Sequence, residues 1–277
     1  MMFALPHLGH ALAALGRYAE AEEVFAEARR FGREYGVGPL LARAIAVSAG
    51  YHLDVFDFRG NEAIAGEARE LARSVDFLPT LVSGDLDLLL NFIRRHDLDR
   101  ADRLLADVAV VVEKAAGWHG WIWRLRLAAA RAELALAHAN LEDALQQSTE
   151  AIELNHGKKL KYEAAGLETR ARALHALGRT PEAIADLRRA VQLARPTGDP
   201  TMLLRAVAGL LAVDGDDALL AEASTLADGI VRALPDDRMR QAFEASSPVA
   251  LVRKLAGCRQ TGAQPGVWRS PPRRRRH

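Results

Sequence analysis

The chain has 277 residues and a net charge of +1, but this charge is distributed unevenly. From Arg259 to His277 there are six arginines and no acidic residue, which leaves 31 basic against 36 acidic residues in the rest of the chain. A mildly acidic body argues against phosphate binding over the main fold, and the single cysteine, Cys258, excludes an intramolecular disulfide. Strand-like alternation of β-branched residues is almost absent, and no apolar run approaches the ~20 residues of a membrane span. These features predict an all-α protein of the reducing cytoplasm with no membrane partner.

The first predicted hairpin sets the pattern for the rest of the chain. One helix runs through LPHLGHALAAL, the turn lies at Gly16–Tyr18, and the second helix runs through AEAEEVFAEARRF. Apolar and small residues recur on one face of each helix at spacings of three and four. They are Leu8, Gly9 and Leu12 in the first helix and Ala21, Phe25 and Ala28 in the second. The small ones predict a close approach of the two helices. The apolar start resembles a secretory signal but lacks its basic beginning.

The same pattern returns with turns near positions 16, 60, 96, 139, 178 and 215. The copies around Ala139 and Gly178 are clear, whereas those near Gly60, His96 and Gly215 are weaker. The gaps between turns are 44, 36, 43, 39 and 37 residues, and the gap of 44 leaves room for a degenerate second unit. Helix pairs with such a period stack into solenoids, because each unit buries its apolar face against its neighbours.

The spacing within the first hairpin resembles the tetratricopeptide repeat. The matching positions are Leu5, Leu8, Gly9, Leu12, Gly16, Tyr18, Ala21, Phe25 and Ala28. Standard units of that family repeat every ~34 residues, and lengthened units like these resemble the repeat regions of large bacterial signalling ATPases and LuxR-type regulators. The resemblance implies a right-handed superhelix (α-solenoid) of antiparallel helix hairpins over residues 1–234. It also implies that the first helix of each pair lines the concave face.

Three dipeptides predict helix starts and support the repeat phase independently. They are Thr180-Pro181, Asp199-Pro200 and Ser247-Pro248. Each combines a side chain that accepts a free backbone N–H with a proline that has no N–H to leave unpaired.

Residues 235–256 differ from a repeat unit and are predicted to form capping helices over the last apolar face of the array. The residues expected to pack inward are Met239, Phe243, Val249 and Val252, and those expected to face water are Arg238, Arg240, Arg253 and Lys254. The stretch resembles the closing segment of helical regions in class III adenylate cyclases and LuxR-type proteins. Residues 257–277 are rich in glycine, proline and arginine and are predicted to be a disordered tail.

The sequence contains no recognisable motif of a catalytic, cofactor or metal site. The patterns G-x-x-x-x-G-K-[ST], G-x-S-x-G, H-E-x-x-H and C-x-x-C do not occur. His7 and His10 lie three residues apart on the first helix, but zinc needs further ligands that this face does not offer. The sequence therefore predicts a protein that is not an enzyme and uses no cofactor.

Trp118, Trp121 and Trp123 cluster at the start of one predicted helix. One interpretation is an exposed aromatic platform for a partner, since tryptophan is enriched at binding hot spots. The interpretation that the sequence favours is that the large rings seal the joint between two hairpins.

The predicted function is binding. The resemblance assigns the groove to polar residues of the first helices, and His10 is one of them. Five others come from two consecutive pairs and form the predicted partner-binding strip, namely Arg126, Glu133, Glu168, Arg172 and His175. Their mixed charge favours a protein or peptide partner, as for a scaffold or regulatory module of a bacterial signalling or transcription system. The alternative is a sensor with a small-molecule effector in the groove. Nucleic acid is expected to bind only weakly, through Arg273–Arg276.

Overall fold

The computed structural model describes residues 4–260, and this part of the chain is helical throughout, with no strand. The all-α prediction is therefore confirmed. A 3-10 turn lies at Arg195–Thr197. The α-helices are α1 Ala4–Ala14, α2 Tyr18–Glu34, α3 Gly38–Asp54, α4 Phe58–Ser74, α5 Leu78–Arg94, α6 Leu98–Lys114, α7 Gly117–Ala137, α8 Leu141–Asn155, α9 Leu160–Ala176, α10 Thr180–Ala194, α11 Pro200–Leu211, α12 Asp217–Ala233, α13 Asp237–Glu244 and α14 Ser247–Gln260.

Helices α1 to α12 form six hairpins joined by short turns. Each first helix packs on its own second helix and on the first helix of the next hairpin, as α3 does on α4 and α5. Stacking of this kind makes one layer of first helices and one of second helices, which is the arrangement of an α-solenoid. The right-handed sense of the superhelix stays a prediction.

The turns inside the hairpins are more regular than the sequence indicated. Five residues at these turns have a left-handed backbone, with φ between 59° and 81°: Gly16, Phe56, His96, Ala139 and Gly178. They lie 40, 40, 43 and 39 residues apart. The predicted turn near Gly60 is therefore wrong, because Gly60 lies inside α4 and its N–H donates to the capping carboxylate of Asp57. No degenerate second unit is needed. The sequence concealed the turn because phenylalanine rarely adopts positive φ.

Small residues at helix crossings set the spacing within the first hairpin, as predicted. A Cβ added at Gly9 would lie 2.6 Å from the ring of Phe25, and both Phe25 and Ala21 are fully buried. Leu8, which was expected on the same inward face, is 49% exposed, so that assignment is wrong. The crossing point lies at Gly9, and Leu8 lies beside it.

Of the three predicted caps, one is confirmed. The Asp199 carboxylate accepts hydrogen bonds from the backbone N–H groups of Thr201 and Met202 at the start of α11. Thr180 was expected to cap α10 but is its first residue, and its hydroxyl forms a hydrogen bond with His175 instead. Ser247 is likewise the first residue of α14.

The C-terminal helices α13 and α14 follow the last hairpin, and α14 packs on α11 and α12. All four residues expected to pack inward are buried: Met239, Phe243, Val249 and Val252. Arg253 and Lys254 are exposed, whereas Arg240 is half-buried and donates to the carbonyl of Leu234. Helix α14 runs to Gln260, past the predicted start of the tail at residue 257. The rest of that predicted tail, residues 261–277, lies outside the described residues.

The array curls back on itself, so that its first two hairpins contact its C-terminal part. We call this contact the seam and define it by residues 15–18 and 51–57 on one side and residues 161, 198–202 and 238–243 on the other. The rings of Phe56 and Phe243 lie 6.1 Å apart across it. A Cβ added at Gly16 would lie 2.9 Å from Pro200. A single apolar core extends through the seam.

Within residues 4–260, no helix combines the length and the apolar character that crossing a membrane requires.

Candidate functional site

The five residues of the predicted strip lie on two first helices, with Arg126 and Glu133 on α7 and Glu168, Arg172 and His175 on α9. These helices pack side by side. The first helices face the inside of the superhelix, because α3, α9 and α11 together line a small internal cavity. The residues therefore lie on the inner layer, as expected for the groove.

Three of the five residues form ion pairs with a first helix of the neighbouring hairpin. Arg126 of α7 donates to Asp87 of α5 at 2.6 Å. Glu133 accepts two hydrogen bonds, of 2.8 and 2.9 Å, from Arg94 of α5. Glu168 of α9 accepts one of 3.0 Å from Arg205 of α11. Side-chain exposure in these three pairs is 11–20%, so the charges are largely shielded from water.

The sequence-based predictions did not include the ion-pair partners of these three residues, which are Asp87, Arg94 and Arg205. The sequence does contain a signal for the pairs, because the paired residues lie 39, 39 and 37 positions apart. That separation is close to one repeat, so a polar residue on a first helix faces the residue one repeat away on the adjacent first helix. Charges of opposite sign at this spacing would have identified the pairs.

A fourth ion pair joins Asp54, at the end of α3, to Lys161 at the start of α9. It connects the second hairpin with the fifth and lies in the seam. We define the inner strip as the four pairs together with Arg172: Asp54, Asp87, Arg94, Arg126, Glu133, Lys161, Glu168, Arg172 and Arg205.

Burial and pairing act on the pKa values of the strip in opposite directions. Burial by itself would raise the pKa of Glu133, but the charge and hydrogen bonds of Arg94 lower it to about 2. At Asp87 burial prevails over Arg126, and the pKa of this carboxyl is raised. The Arg94–Glu133 and Arg126–Asp87 pairs are thus largely buried charges that neutralise each other.

Arg172 is the member of the strip that forms no ion pair within residues 4–260. Its side chain is exposed, and the charges that act on it are those of Glu133 and Glu168, which raise its pKa, and those of Arg205 and Arg94, which lower it. Partial desolvation by the surrounding groove lowers the pKa of the guanidinium, despite the two carboxylates. The strip holds five cations and four carboxylates, so Arg172 is the excess positive charge.

The remaining predicted groove residues, His175 and His10, form none of the four ion pairs. His175 is half-buried near the end of α9, where its Nδ1 lies 3.3 Å from the hydroxyl of Thr180. His10 is exposed on α1, and its pKa is lowered by desolvation and by Lys161. The structure therefore brings four of the five predicted residues into one charged cluster and leaves His175 at its end.

A small cavity lies at one end of the inner strip. The cavity that is lined by Asp54, Lys161, Glu168 and Arg205 has a volume of about 10 Å³. A volume of that size holds about one water molecule, whereas small-molecule sites occupy roughly 300–1,000 Å³. A depression of about 730 Å³ along the outer helix α8 is open to solvent and includes four carboxylates on its walls. Within residues 4–260, no group of three or more potential ligands could hold a metal ion.

A second buried polar cluster, which the sequence analysis did not find, surrounds His52 on α3. Its Nδ1 lies 2.7 Å from Asp57, and its Nε2 lies 3.5 Å from Glu22 of α2. The side chain of His52 is 3% exposed. Desolvation lowers the pKa of His52, but the hydrogen bonds and charges of Asp57 and Glu22 outweigh it and raise the pKa. Tyr51 also donates to Glu22, whose pKa is about 2.

The tryptophan cluster is divided between core and surface. Trp123 is 3% exposed and packs in the core of the middle hairpins, which agrees with the structural interpretation. Trp118 is 66% exposed and its ring lies 4.8 Å from that of Trp121. The exposed aromatic surface at the start of α7 is therefore limited to one tryptophan and the edge of another.

Residues 7–28, which span most of the first hairpin, match the family model of the tetratricopeptide repeat. No curated protein matches the chain. Repeats of this family generally mediate protein–protein interaction and are typically non-enzymatic. Together with the stack of helix hairpins, the match identifies a tetratricopeptide-like region in this chain.

Proposed function

We propose that this protein is a non-catalytic interaction module that binds an extended, acidic segment of a partner protein along the inner strip. The observation that carries the proposal is the excess cation, Arg172, on a strip whose other eight charges are paired. Because the paired charges satisfy one another, they contribute little attraction for a partner. The positive charge of Arg172 therefore favours a negatively charged partner.

A carboxylate of the partner would make Arg172 part of a fifth ion pair. The guanidinium has five N–H donors in a planar fork, and a carboxylate accepts two of them in parallel. Glu133 and Glu168 lie close by and would disfavour a second partner carboxylate beside them, which restricts the register of the bound segment.

The size of the internal cavity disfavours the alternative of a small-molecule sensor. A space of about 10 Å³ among charged residues offers no apolar pocket for an effector. An extended segment needs no enclosed volume, because it can be anchored on the exposed side chain of Arg172.

The wider role that we propose is that of a scaffold or regulatory arm in a bacterial signalling or transcription system. This part of the proposal rests on the lengthened repeat units, which resemble those of signalling ATPases and LuxR-type regulators. The cytoplasm is the compartment that such a role requires.

The test is capture of partners from native cell extract with Arg172→Glu and with a matched control, Arg189→Glu. Arg189 is exposed on α10, the second helix of the same hairpin, and forms no ion pair within the described residues. Arg126 is less suitable for charge reversal, because its pairing with the largely buried Asp87 would turn the substitution into a stability test. We expect Arg172→Glu to lose partners that Arg189→Glu retains. Recovery of the same partners by both variants would refute the assignment to the inner strip.

A further inference from the structure

The seam contains a polar clasp between the α3–α4 turn and α13. The guanidinium of Arg238 donates to both oxygens of Asp57, at 2.7 and 2.8 Å, across a separation of 181 residues. The Asp57 side chain is 2% exposed, whereas that of Arg238 is 52% exposed. The clasp thus joins a carboxylate fixed inside the second hairpin to a cation that extends from the surface of a C-terminal helix.

Apolar contacts accompany this clasp. Met239 follows Arg238, and its sulfur lies 3.8 Å from the hydroxyl of Tyr51. The ring of Phe243 faces that of Phe56. Phe56 has φ of 62°, a left-handed conformation that costs energy for a bulky residue. Its burial against Phe243 supplies a reason why phenylalanine occupies this turn.

We propose that the seam is a releasable closure that controls access to the inner strip. This inference rests on the proposed function, because it assigns a form of regulation to the same strip. In the closed form, the Asp54–Lys161 pair bridges the second and fifth hairpins and holds the cavity beside Glu168 and Arg205 at about 10 Å³. Arg172 is already exposed in this form, so a partner carboxylate can reach it. When α13 leaves the second hairpin and the contacts of Asp54 with Lys161 and of Gly16 with Pro200 also break, these hairpins separate. The partner segment then reaches the paired charges along the rest of the strip.

The contacts around Asp57 keep the free energy of releasing Arg238 low. When Arg238 departs, the carboxylate keeps its hydrogen bonds to His52 and to the N–H of Gly60. It therefore does not become an unpaired buried charge, which is the usual reason why a broken buried ion pair is costly. Arg238 is already half in water and gains hydration.

The structure of α13 also favours local release. The helix has eight residues, of which Met239 and Phe243 are buried. Segments with few buried apolar contacts open at lower free energy than the core of the fold. The repeat hairpins α5–α6 and α7–α8 lie outside the seam and would remain folded while α13 moves.

The experiment measures the distance across the seam. Spin labels are placed at Arg59→Cys in α4 and Gln241→Cys in α13, both exposed positions, in a Cys258→Ser background. We expect the labelled Cys258→Ser parent to show a narrow distance distribution. In Arg238→Gln we expect a second population at longer distance, which corresponds to an open fraction about tenfold or more above that of the parent. The matched control is Arg253→Gln, which breaks the Arg253–Asp228 pair between α14 and α12, away from the seam. An unchanged distribution in Arg238→Gln overturns the inference, as does an equal change in the control.

A second measurement uses the unmodified chain and guards against a variant that fails to fold. Amide hydrogen exchange of α13 and of residues 55–57 is expected to be at least about tenfold faster than that of α5 and α7, with both segments opening together. Exchange of α13 as slow as that of α5 would show that the closure does not release.

Binding of a fluorescein-labelled ten-residue glycine–serine peptide with one central glutamate separates this inference from the proposed function. Arg238→Gln lies outside the strip and is expected to bind the peptide about tenfold more tightly than the parent, while Arg253→Gln binds like the parent. Introducing Arg172→Glu into the Arg238→Gln variant should abolish binding of the peptide. Equal affinity of parent and Arg238→Gln refutes the control of access but leaves the proposed function standing. If the seam opens and neither form binds, the proposed function fails instead.

Discussion

Arg94 and Glu133 form a two-pronged ion pair between α5 and α7, with side-chain exposures of 15% and 11%. The pair lies on the inner layer, where each first helix meets the next. Neither charge can return to water without separating the two hairpins. The pair therefore links the binding strip to the stability of the array.

Glu133→Ala should lower the free energy of unfolding by about 3–5 kcal/mol, because it leaves the Arg94 guanidinium buried and unpaired. Urea unfolding followed by circular dichroism measures the loss. The control is Asp214→Ala, whose partner Arg188 is 64% exposed, and a loss below about 1 kcal/mol is expected there. Similar losses in both variants would contradict the difference in burial.

The lowered pKa of Glu133 predicts sensitivity to acid. The folded pKa of Glu133 is about 2, below the ordinary 4.5, so its stabilising effect is present above pH 4.5 and is lost as the pH falls toward 2. Unfolding free energies between pH 6 and pH 2 should fall less steeply in Glu133→Gln than in the native chain. Parallel curves would show that Glu133 contributes nothing to the acid dependence.

The His52 cluster predicts the opposite trend at higher pH. The folded pKa of His52 lies above the ordinary 6.5, because Asp57 and Glu22 favour the imidazolium. Its stabilising effect is therefore fully present below pH 6.5 and is lost as the pH rises through the folded pKa. The other groups that face the cluster are Tyr51, Arg29 and Arg238.

The measurement for His52 is the unfolding free energy between pH 5.5 and pH 9, in the native chain and in His52→Gln. We expect the native chain to lose stability over this range and the variant to show a flatter curve. A variant with the same slope as the native chain would assign the dependence to another group.

Ala183→Leu should destabilise the protein by about 1–3 kcal/mol, the usual cost of overpacking. Ala183 is fully buried on α10, which packs against α9. Ala185 lies two residues along on the same helix and is exposed, so Ala185→Leu is a matched control that should have little effect. Thermal unfolding of the two variants decides whether the small residue at 183 marks the helix crossing.

Gly9→Ala tests the close approach of α1 and α2. The added methyl group would lie 2.6 Å from the ring of Phe25, which is fully buried. We expect a loss of about 1–3 kcal/mol, and a much smaller effect of the same substitution in a Phe25→Leu background, where the ring is absent. A double-mutant cycle gives the coupling energy. Additive effects would mean that α1 can shift to accommodate the methyl group.

The sequence by itself determined the helix pairs and their stacking. Small residues such as Gly9 and Ala183 recur at the spacing of a helix crossing, and glycine at positions 16 and 178 marks turns with positive φ. Both signals are local, because they follow from the geometry of one helix pair. The repeat phase put Arg126, Glu133, Glu168 and Arg172 on first helices, and the resemblance to the tetratricopeptide repeat implied that these helices line the inner layer.

Only the tertiary structure decided which of these charges are paired and where the array closes. The turn at Phe56 could not be identified locally, because its positive φ is supported by Phe243, far along the chain. The partners of Asp57 and Asp54 across the seam depend on how far the array curls, which is the sum of small rotations between successive hairpins. Each rotation is set by many side chains at one interface, so a contact across five hairpins is not written in any single stretch of sequence.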